Sequence, residues 1–310
     1  MRLHVENVTD VTDRIRLFTL TSPDGLPGYT AGAHLDFDLG DLGQRSYSLI
    51  DFARVEAEPS AYQIAVQAEP EGDGGSRAMH ALKVGDTITA SDPKNSFELH
   101  AEDTPAVLIA GGIGVTPIIS FASELSHRAT PFSFHYAARD RAVCAFAAQL
   151  EGIFPDALTL WFDSETQIDI AAALRDAPDA AHIYCCGPKG MIEAVRKIAE
   201  NAGYPSDRVR FELFETVQAQ DGDQPFEVEI NDGRIFTIPP GQSIIEVLEA
   251  ADVDVMYDCQ RGDCGICQTD VISGEPDHRD VVLSDSERAS GDVVQICVSR
   301  AKSARLVLDI

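Results

Sequence analysis

Ala106-Val-Leu-Ile-Ala-Gly-Gly-Ile-Gly-Val-Thr-Pro117 decides the reading of the middle of the chain. Its first five residues are an unbroken apolar run, the pattern of a strand covered on both faces. Glycines then allow a tight turn, and 117–127 has helical character. A buried strand, a glycine loop and a helix open a βα unit. The spacing Gly112-x-Gly114-x-x-Pro117 departs from the Rossmann fingerprint, because proline stands where the third glycine would fall. Thr116 is expected to cap the helix and Pro117 to take its first position. A pyrophosphate would then sit at the helix N-terminus.

Downstream, 132–136, 158–162, 182–186 and 209–214 read as strands, and 142–150 and 191–202 as helices. This alternation predicts a parallel α/β sheet. Cys186-Gly187-Pro188 ends one strand at its carboxyl edge, where open α/β sheets bind ligands. Cys185 would point the other way, into packing, because strand side chains alternate. Asp163 and Arg139 follow strands at places suited to a ribose contact. Cys144 lies among apolar residues and reads as a core thiol.

Upstream, 14–20, 34–39 and 62–66 alternate polar and apolar residues as half-buried strands do. Gly and Pro punctuate between them, which predicts an antiparallel barrel. Past the α/β region, 216–225 is polar and unpatterned, a linker. Strand signals at 226–230 and 234–238 flank Asn231-Asp-Gly233, a hairpin signal. Ser243 and Glu246 form a capping box that opens a helix to about 251. The expected domains are 1–102, 103–215 and 226–310, joined by the linker at 216–225.

The 310 residues suit two or three domains at roughly 100–200 residues each. With 24 basic and 51 acidic side chains, the net charge is −27. That excludes nucleic acid and an anionic membrane surface as partners. It leaves a solubility surface or a basic protein partner as explanations. No window is apolar enough to span a membrane, and the N-terminus carries no signal-peptide pattern. The expectation is a cytoplasmic monomer.

Four of the seven cysteines fall late, as Cys259-x4-Cys264-x2-Cys267 and then Cys297. This is the spacing of a plant-type [2Fe–2S] site, in which four thiolates hold two irons. Gly262 and Gly265 accept positive φ and turn backbone N–H groups toward the sulfides. The fourth ligand must return from elsewhere, and the residues around Cys297 have strand character. A structural zinc site is the alternative, although zinc sites usually show paired Cys-x2-Cys knuckles.

Arg45-Ser46-Tyr47-Ser48, the Gly111–Pro117 loop and Cys186-Gly187-Pro188 together resemble the ferredoxin-reductase superfamily of flavin enzymes. With a plant-type cluster at the C-terminal end, the whole chain is similar to the phthalate dioxygenase reductase family. Pro93-Lys-Asn-Ser-Phe97 and His278-Arg-Asp280 also resemble stretches of that family. The resemblance implies a multidomain fold: a flavin-binding antiparallel β-barrel, a parallel α/β nucleotide domain and an α+β β-grasp ferredoxin domain. It implies that Arg45 binds the flavin phosphate, that Tyr47 packs on the ring and that Ser48 lies near N5. Arginine offers a planar fork for phosphate, and tyrosine a face for the ring.

Gly74-Gly75-Ser76 is similar to the family's second phosphate contact, with a hairpin turn as the alternative. The family implies FMN, though related reductases bind FAD, and it favours NADH. It places Cys186 against the nicotinamide, and Glu212 and Phe214 near the flavin. Flavin and nucleotide contacts are thus expected from Arg45, Ser46, Tyr47, Ser48, Gly74, Gly75, Ser76, Gly112, Gly114, Thr116, Pro117, Cys186, Gly187, Pro188 and Phe214. Ser48, Cys186 and Glu212 stand nearest the chemistry.

NADH releases two electrons as hydride, and a [2Fe–2S] cluster accepts one at a time, so a flavin must stand between them. The resemblance implies a reductase component serving a Rieske-type non-haem iron oxygenase. A cytochrome P450 or other acceptor is the alternative, as is a non-catalytic electron-transfer or redox-sensing subunit of a larger complex. Asp258 and Asp263, beside the cysteines, are the expected contacts with a basic face of the acceptor.

Overall fold

The computed structural model of the chain describes residues 1–53, 58–178, 180–214, 220 and 222–310. Half of the expected linker at 216–225 therefore lies outside the described residues. The chain divides into two compact units, one of 1–187 with 207–210, the other of 188–206 with 211–310.

The first unit begins with β1 (Arg2–Thr12), β2 (Ile15–Thr21), β3 (His34–Asp38), β4 (Gln44–Ser48), β5 (Tyr62–Gln67), α1 (Gly75–Ala81) and β6 (Thr87–Ala90). The strands form an antiparallel sheet in the order β4-β3-β6-β1-β2-β5. Its two edges meet. Leu49 bridges Ile64, and the Ile50 N–H donates to the Gln63 carbonyl at 2.8 Å, which closes the sheet into a barrel. Closure leaves no open edge. It encloses Leu3, Phe18, Leu35, Phe37, Leu49 and Ile64. β1 gave no alternation in the sequence because its pairing with β2 shifts register between Val5 and Asn7 and again between Asp10 and Thr12. Each bulge breaks the two-residue period.

The same unit continues with β7 (Ala106–Gly111), α2 (Val115–His127), β8 (Phe132–Ala138), α3 (Ala147–Ile153), β9 (Leu158–Phe162), α4 (Ile170–Arg175) and β10 (His182–Cys186). α5 (Lys189–Asn201) belongs to the second unit, and β11 (Val209–Glu212) begins in the first. The sheet runs β11-β10-β7-β8-β9, with β10, β7, β8 and β9 parallel. The helix expected at 142–150 starts later. Asp140 accepts from the Ala142 and Val143 N–H groups and holds a 3-10 turn, and Phe146 stands in the left-handed region at φ +62° before α3 begins.

α2 is buried on nearly every face. Its Phe121 meets Phe97 at 4.9 Å and Tyr184 at 4.8 Å between ring centroids. The Ser120 hydroxyl donates to the Leu49 carbonyl at 2.9 Å and accepts from the Asp51 N–H, while the Ser123 hydroxyl donates to the Asp51 carbonyl at 2.7 Å. These bonds tie the end of the β4 segment to the helix that follows the glycine loop. Barrel and parallel sheet thereby share one apolar cluster.

The second unit adds β12 (Phe226–Glu229), β13 (Ile235–Ile238), α6 (Ile244–Glu249), β14 (Gln268–Ser273), β15 (Pro276–Asp277), α7 (Asp285–Ser290), β16 (Val293–Gln295), β17 (Arg300–Ala301) and β18 (Arg305–Leu308). Its mixed sheet runs β13-β12-β18-β14-β16. β12 and β13 form the expected hairpin, and β18 returns parallel to β12. α6 has the expected capping box from Ser243 and Glu246 and turns Ile244, Ile245 and Leu248 into the core. This is the β-grasp arrangement.

Candidate functional site

β4 carries the first group of side chains. Arg45 lies across Gly75: a Cβ there would stand 2.6 Å from Arg45 Nε and 2.8 Å from its Cγ. Glycine at this position lets the arginine lie flat against the backbone. Nη1 donates to the carbonyls of Leu42 and Gln44 at 2.9 and 2.8 Å, and Nη2 makes no hydrogen bond among the described residues. Gly74, at φ +93°, opens α1, which has no side-chain cap, so the first N–H groups of the helix are left over beside Arg45. The segment 74–76 is thus a helix start rather than a hairpin turn. The Ser76 hydroxyl accepts from the Glu69 N–H at 2.9 Å and keeps its proton to donate.

Ser46 faces away from this group. Its hydroxyl donates to Asp36, which Lys94 also binds at 2.8 Å. Tyr47 is half-buried, with its ring 5.7 Å from that of Phe37. Burial pushes its hydroxyl up to about 12. Ser48 is 4% exposed, and its hydroxyl has no hydrogen-bond partner among the described residues. A buried, unpartnered hydroxyl is costly by itself, and it suits a polar ring edge such as that of a flavin. Guanidinium, helix N–H groups, a tyrosine face and an orphaned hydroxyl make a donor set that fits a flavin phosphate and ring.

β7 and β10 are neighbours whose following segments leave toward opposite sides of the sheet order, a topological switch point. Gly112 has φ +56°. Gly114 is pressed onto the end of β10: a Cβ would stand 2.3 Å from the Cys186 carbonyl oxygen and 2.8 Å from the Gly187 nitrogen. The two glycine motifs thus form one crevice. Thr116 does not cap α2. Its hydroxyl donates backward to the Ile113 carbonyl at 3.1 Å, Gly114 takes the cap position, and Pro117 is the third helical residue. Proline is tolerated there because that N–H has no helical partner in any case.

Cys186 is fully enclosed, in the apolar cluster with Leu108, Ala110 and Tyr184. Cys185 is enclosed too, and burial pushes its thiol up. Pro188 caps α5 in the second unit. Arg139 and Asp163 sit on adjacent loops, joined by N–H groups of Asp163 and Ser164 donating to Ala138 and Arg139 at 3.1 and 3.2 Å. Cys144 is a core thiol, pushed up to about 11 by burial.

In the second unit four sulfurs converge. Cys264 and Cys297 stand beside Cys259, and Cys267 stands beside Cys297. Gly262 and Gly265 have φ +79° and +78°, so three thiols reach one place from a nine-residue loop. The Arg261 N–H donates to Cys259 Sγ at 3.3 Å. Cys267 and Cys297 are buried, whereas Cys259 and Cys264 are half-buried. Cys297 lies in the turn just past β16 rather than in a strand. The donor set is thiol-only. An Asp263 oxygen lies within 4.8 Å of the Cys259 and Cys264 sulfurs, but Asp263 accepts from the Leu213 N–H at 2.7 Å and pairs with Arg261. Four such thiols fit a [2Fe–2S] cluster.

Asp263 thereby departs from its expected role as an exposed contact. It is 6% exposed, because the loop needs its carboxylate to anchor Leu213 and Arg261. Asp258 is exposed. Glu212 is also buried, with Oε1 3.4 Å from Arg261 Nη2 and Oε2 without a partner among the described residues. Burial pushes Glu212 up to about 7 and Asp263 up to about 8, against the pull of Arg261. Phe214 lies beyond the end of β11 and is 38% exposed. Arg261 went unread in the sequence. Its signal was a long cation inside a loop that must pack closely.

From Asp221 to Ile310 there are 19 acids and seven bases. All seven bases, Arg234, Arg261, Arg279, Arg288, Arg300, Lys302 and Arg305, stand in ion pairs. The surplus negative charge of this segment therefore has no basic residue of its own segment left to offset it.

Residues 228–302 match the 2Fe-2S iron-sulfur cluster binding domain family, and residues 108–197 match the oxidoreductase NAD-binding domain family. The chain is 42% identical over 314 residues to the phenoxybenzoate dioxygenase subunit beta of Ectopseudomonas oleovorans, covering 99% of this chain and 97% of that one. The solved phthalate dioxygenase reductase is 35% identical, with a TM-score of 0.69, covering 100% of this chain and 98% of that one. An intact type IV self-sufficient cytochrome P450 monooxygenase is 32% identical, with a TM-score of 0.72; this chain is covered completely and spans 41% of it. Among the described residues, no helix is long and apolar enough to cross a membrane.

Proposed function

The chain belongs to the phthalate dioxygenase reductase family, oxidoreductases that join NAD, a flavin and a [2Fe–2S] cluster to serve an oxygenase, and from that premise we propose that it is the NADH-dependent, FMN-containing reductase of a Rieske-type non-haem iron oxygenase. It works as a cytoplasmic monomer. The convergence of four cysteine sulfurs from one loop and the turn past β16 is the observation that carries this reading.

A bound flavin would supply the two-electron to one-electron conversion between NADH and the cluster. The chain's own groups bind and orient. Arg45 Nη2 and the first N–H groups of α1 hold the FMN phosphate, with Ser76 donating its proton. Charge-assisted bonds of this kind are the strong ones. Tyr47 supplies a flat neighbour for the ring, and the buried Ser48 hydroxyl donates at the N5 edge. The start of α2, where Gly114 lets the backbone close on Cys186 and Gly187, would hold the nucleotide pyrophosphate. Arg139 and Asp163 meet the ribose. Cys186 backs the nicotinamide, and because it is enclosed here, entry of the ring requires local rearrangement. Cys259, Cys264, Cys267 and Cys297 ligate the cluster.

Anaerobic mixing of the NADH-reduced protein with a purified Rieske oxygenase and with a P450 tests the acceptor. Rapid reduction of the Rieske centre supports the proposal; reduction of the P450 alone rejects it. The P450 reading is kept as second because a self-sufficient P450 carries a 32% identical segment covering all of this chain.

A further inference from the structure

We propose that Arg261 is a positioning residue for the iron–sulfur cluster: its guanidinium, held between the buried carboxylates of Glu212 and Asp263, fixes the cysteine loop and sets a positive charge against the anionic cluster. The side chains of Arg261, Glu212 and Asp263 are 12%, 2% and 3% exposed. Burying charge is unfavourable unless it is paired, and a small β-grasp core has no need of three ionic groups. All three lie at one place. Arg261 Nη2 is 3.4 Å from Glu212 Oε1, and its Nε is 3.4 Å from Asp263 Oδ2.

The same residue also reaches a ligand by its main chain, since its N–H donates to Cys259 Sγ at 3.3 Å. Asp263, next to Cys264, accepts from the Leu213 N–H at 2.7 Å. Two contacts therefore join the 212–213 segment to the first half of the cysteine loop, and two more brace that half from within. They make the end of β11 a fixed support for Cys259 and Cys264, the two half-buried ligands.

The electrostatic consequence follows from the cluster's chemistry. Two irons with two sulfides and four thiolates form an anion, and reduction adds one more negative charge. Arg261 is the cation of this buried group, and it offsets whatever negative charge Glu212 and Asp263 carry beside the cluster. A fixed positive charge in a poorly screened site favours the more negative, reduced state. This inference rests on the four cysteines holding a [2Fe–2S] cluster. Iron and sulfide analysis of the unaltered protein checks that premise separately.

The test uses the full chain with Arg261→Gln and Arg261→Lys. Iron and sulfide content is measured, and the cluster's midpoint potential is titrated by electron paramagnetic resonance. Arg261→Gln is expected to disfavour the reduced cluster at least tenfold, which is 59 mV for a one-electron couple. Arg261→Lys, which keeps the charge but loses the fork, is expected to stay within that margin of the unaltered protein while binding iron less firmly. A merely packing role would move iron content without separating the two variants in potential. Full iron with an unchanged potential in Arg261→Gln overturns the proposal. If Arg261→Gln comes without a cluster, Arg261→Lys decides: a retained cluster at unaltered potential supports the role, and a lost one overturns it.

Discussion

Gly114→Ala is the sharpest perturbation the nucleotide crevice offers. The added methyl would stand 2.3 Å from the Cys186 carbonyl oxygen, 2.5 Å from its carbon and 2.8 Å from the Gly187 nitrogen. Nonbonded carbon contacts lie near 3.5–4.0 Å, so something must move by about 1 Å. The obstacle is backbone at the end of β10, held in register by Ala110 of β7, and cannot swing aside as a side chain would. Overpacking of this kind costs roughly 1–3 kcal/mol. At roughly 2–4 °C per kcal/mol for a unit of this size, thermal unfolding of the first unit should begin several degrees earlier. The crevice should also widen, with NADH affinity falling about tenfold for each ~1.4 kcal/mol of lost contact. Gly75→Ala is the control. There the obstacle is the arginine side chain, which can shift, so stability should hold while flavin retention falls. Differential scanning calorimetry and NADH binding measure both effects. If Gly114→Ala leaves the melting profile and NADH affinity unchanged, the crevice assignment is refuted.

Arg45→Ala should weaken flavin retention by roughly 1.5–3 kcal/mol, the worth of a hydrogen bond to a charged group. Acid-released flavin should chromatograph as FMN, and recovery of FAD would contradict the phosphate site at α1. Ser48→Ala should slow hydride transfer from NADH about fivefold, one lost hydrogen bond of about 1 kcal/mol, seen in stopped-flow flavin bleaching. Electron transfer to the partner should fall steeply with salt, since the acidic 221–310 segment steers docking; a rate flat between low and physiological salt would show the acidity to be only solvation. Asp223, hydrogen-bonded by Arg279, has its carboxyl lowered from 3.8 to about 2. A folded pKa below the unfolded one gives stability that is present above about 4 and lost as pH falls toward 2. Asp223→Asn should remove that pH dependence and lower the urea midpoint at pH 7, because Arg279 and Arg300 lose a buried partner.

The parts legible in the sequence were those whose chemistry is local. Cys259, Cys264 and Cys267 lie within nine positions, and the glycines between them announce the turn that gathers their thiols. Ala106–Gly111 read as a buried strand because no polar residue interrupts it. Other features depended on partners far along the chain. Glu212 and Arg261 are 49 positions apart, and charged residues ordinarily read as surface, so their buried pairing left no local mark. The same reason misplaced Asp263 on the docking face. Thr116 looked like a cap because threonine before a helical run usually is one. The tight turn at Gly114 instead starts the helix two residues earlier and sends the hydroxyl back to Ile113.

On the proposed route, NADH electrons reach a cluster held by the four late cysteines by way of the flavin. An anaerobic NADH titration of the purified chain, followed by visible absorption and electron paramagnetic resonance, tests it directly. Flavin takes two electrons and the cluster one, so uptake should end at about 1.5 NADH per chain with the signal of a reduced [2Fe–2S] cluster fully developed. In Cys264→Ser that signal should vanish and uptake should end at about one NADH, with the flavin still reduced. If the unaltered protein stops at one NADH with its cluster oxidised, or if Cys264→Ser keeps the cluster signal, the account is contradicted.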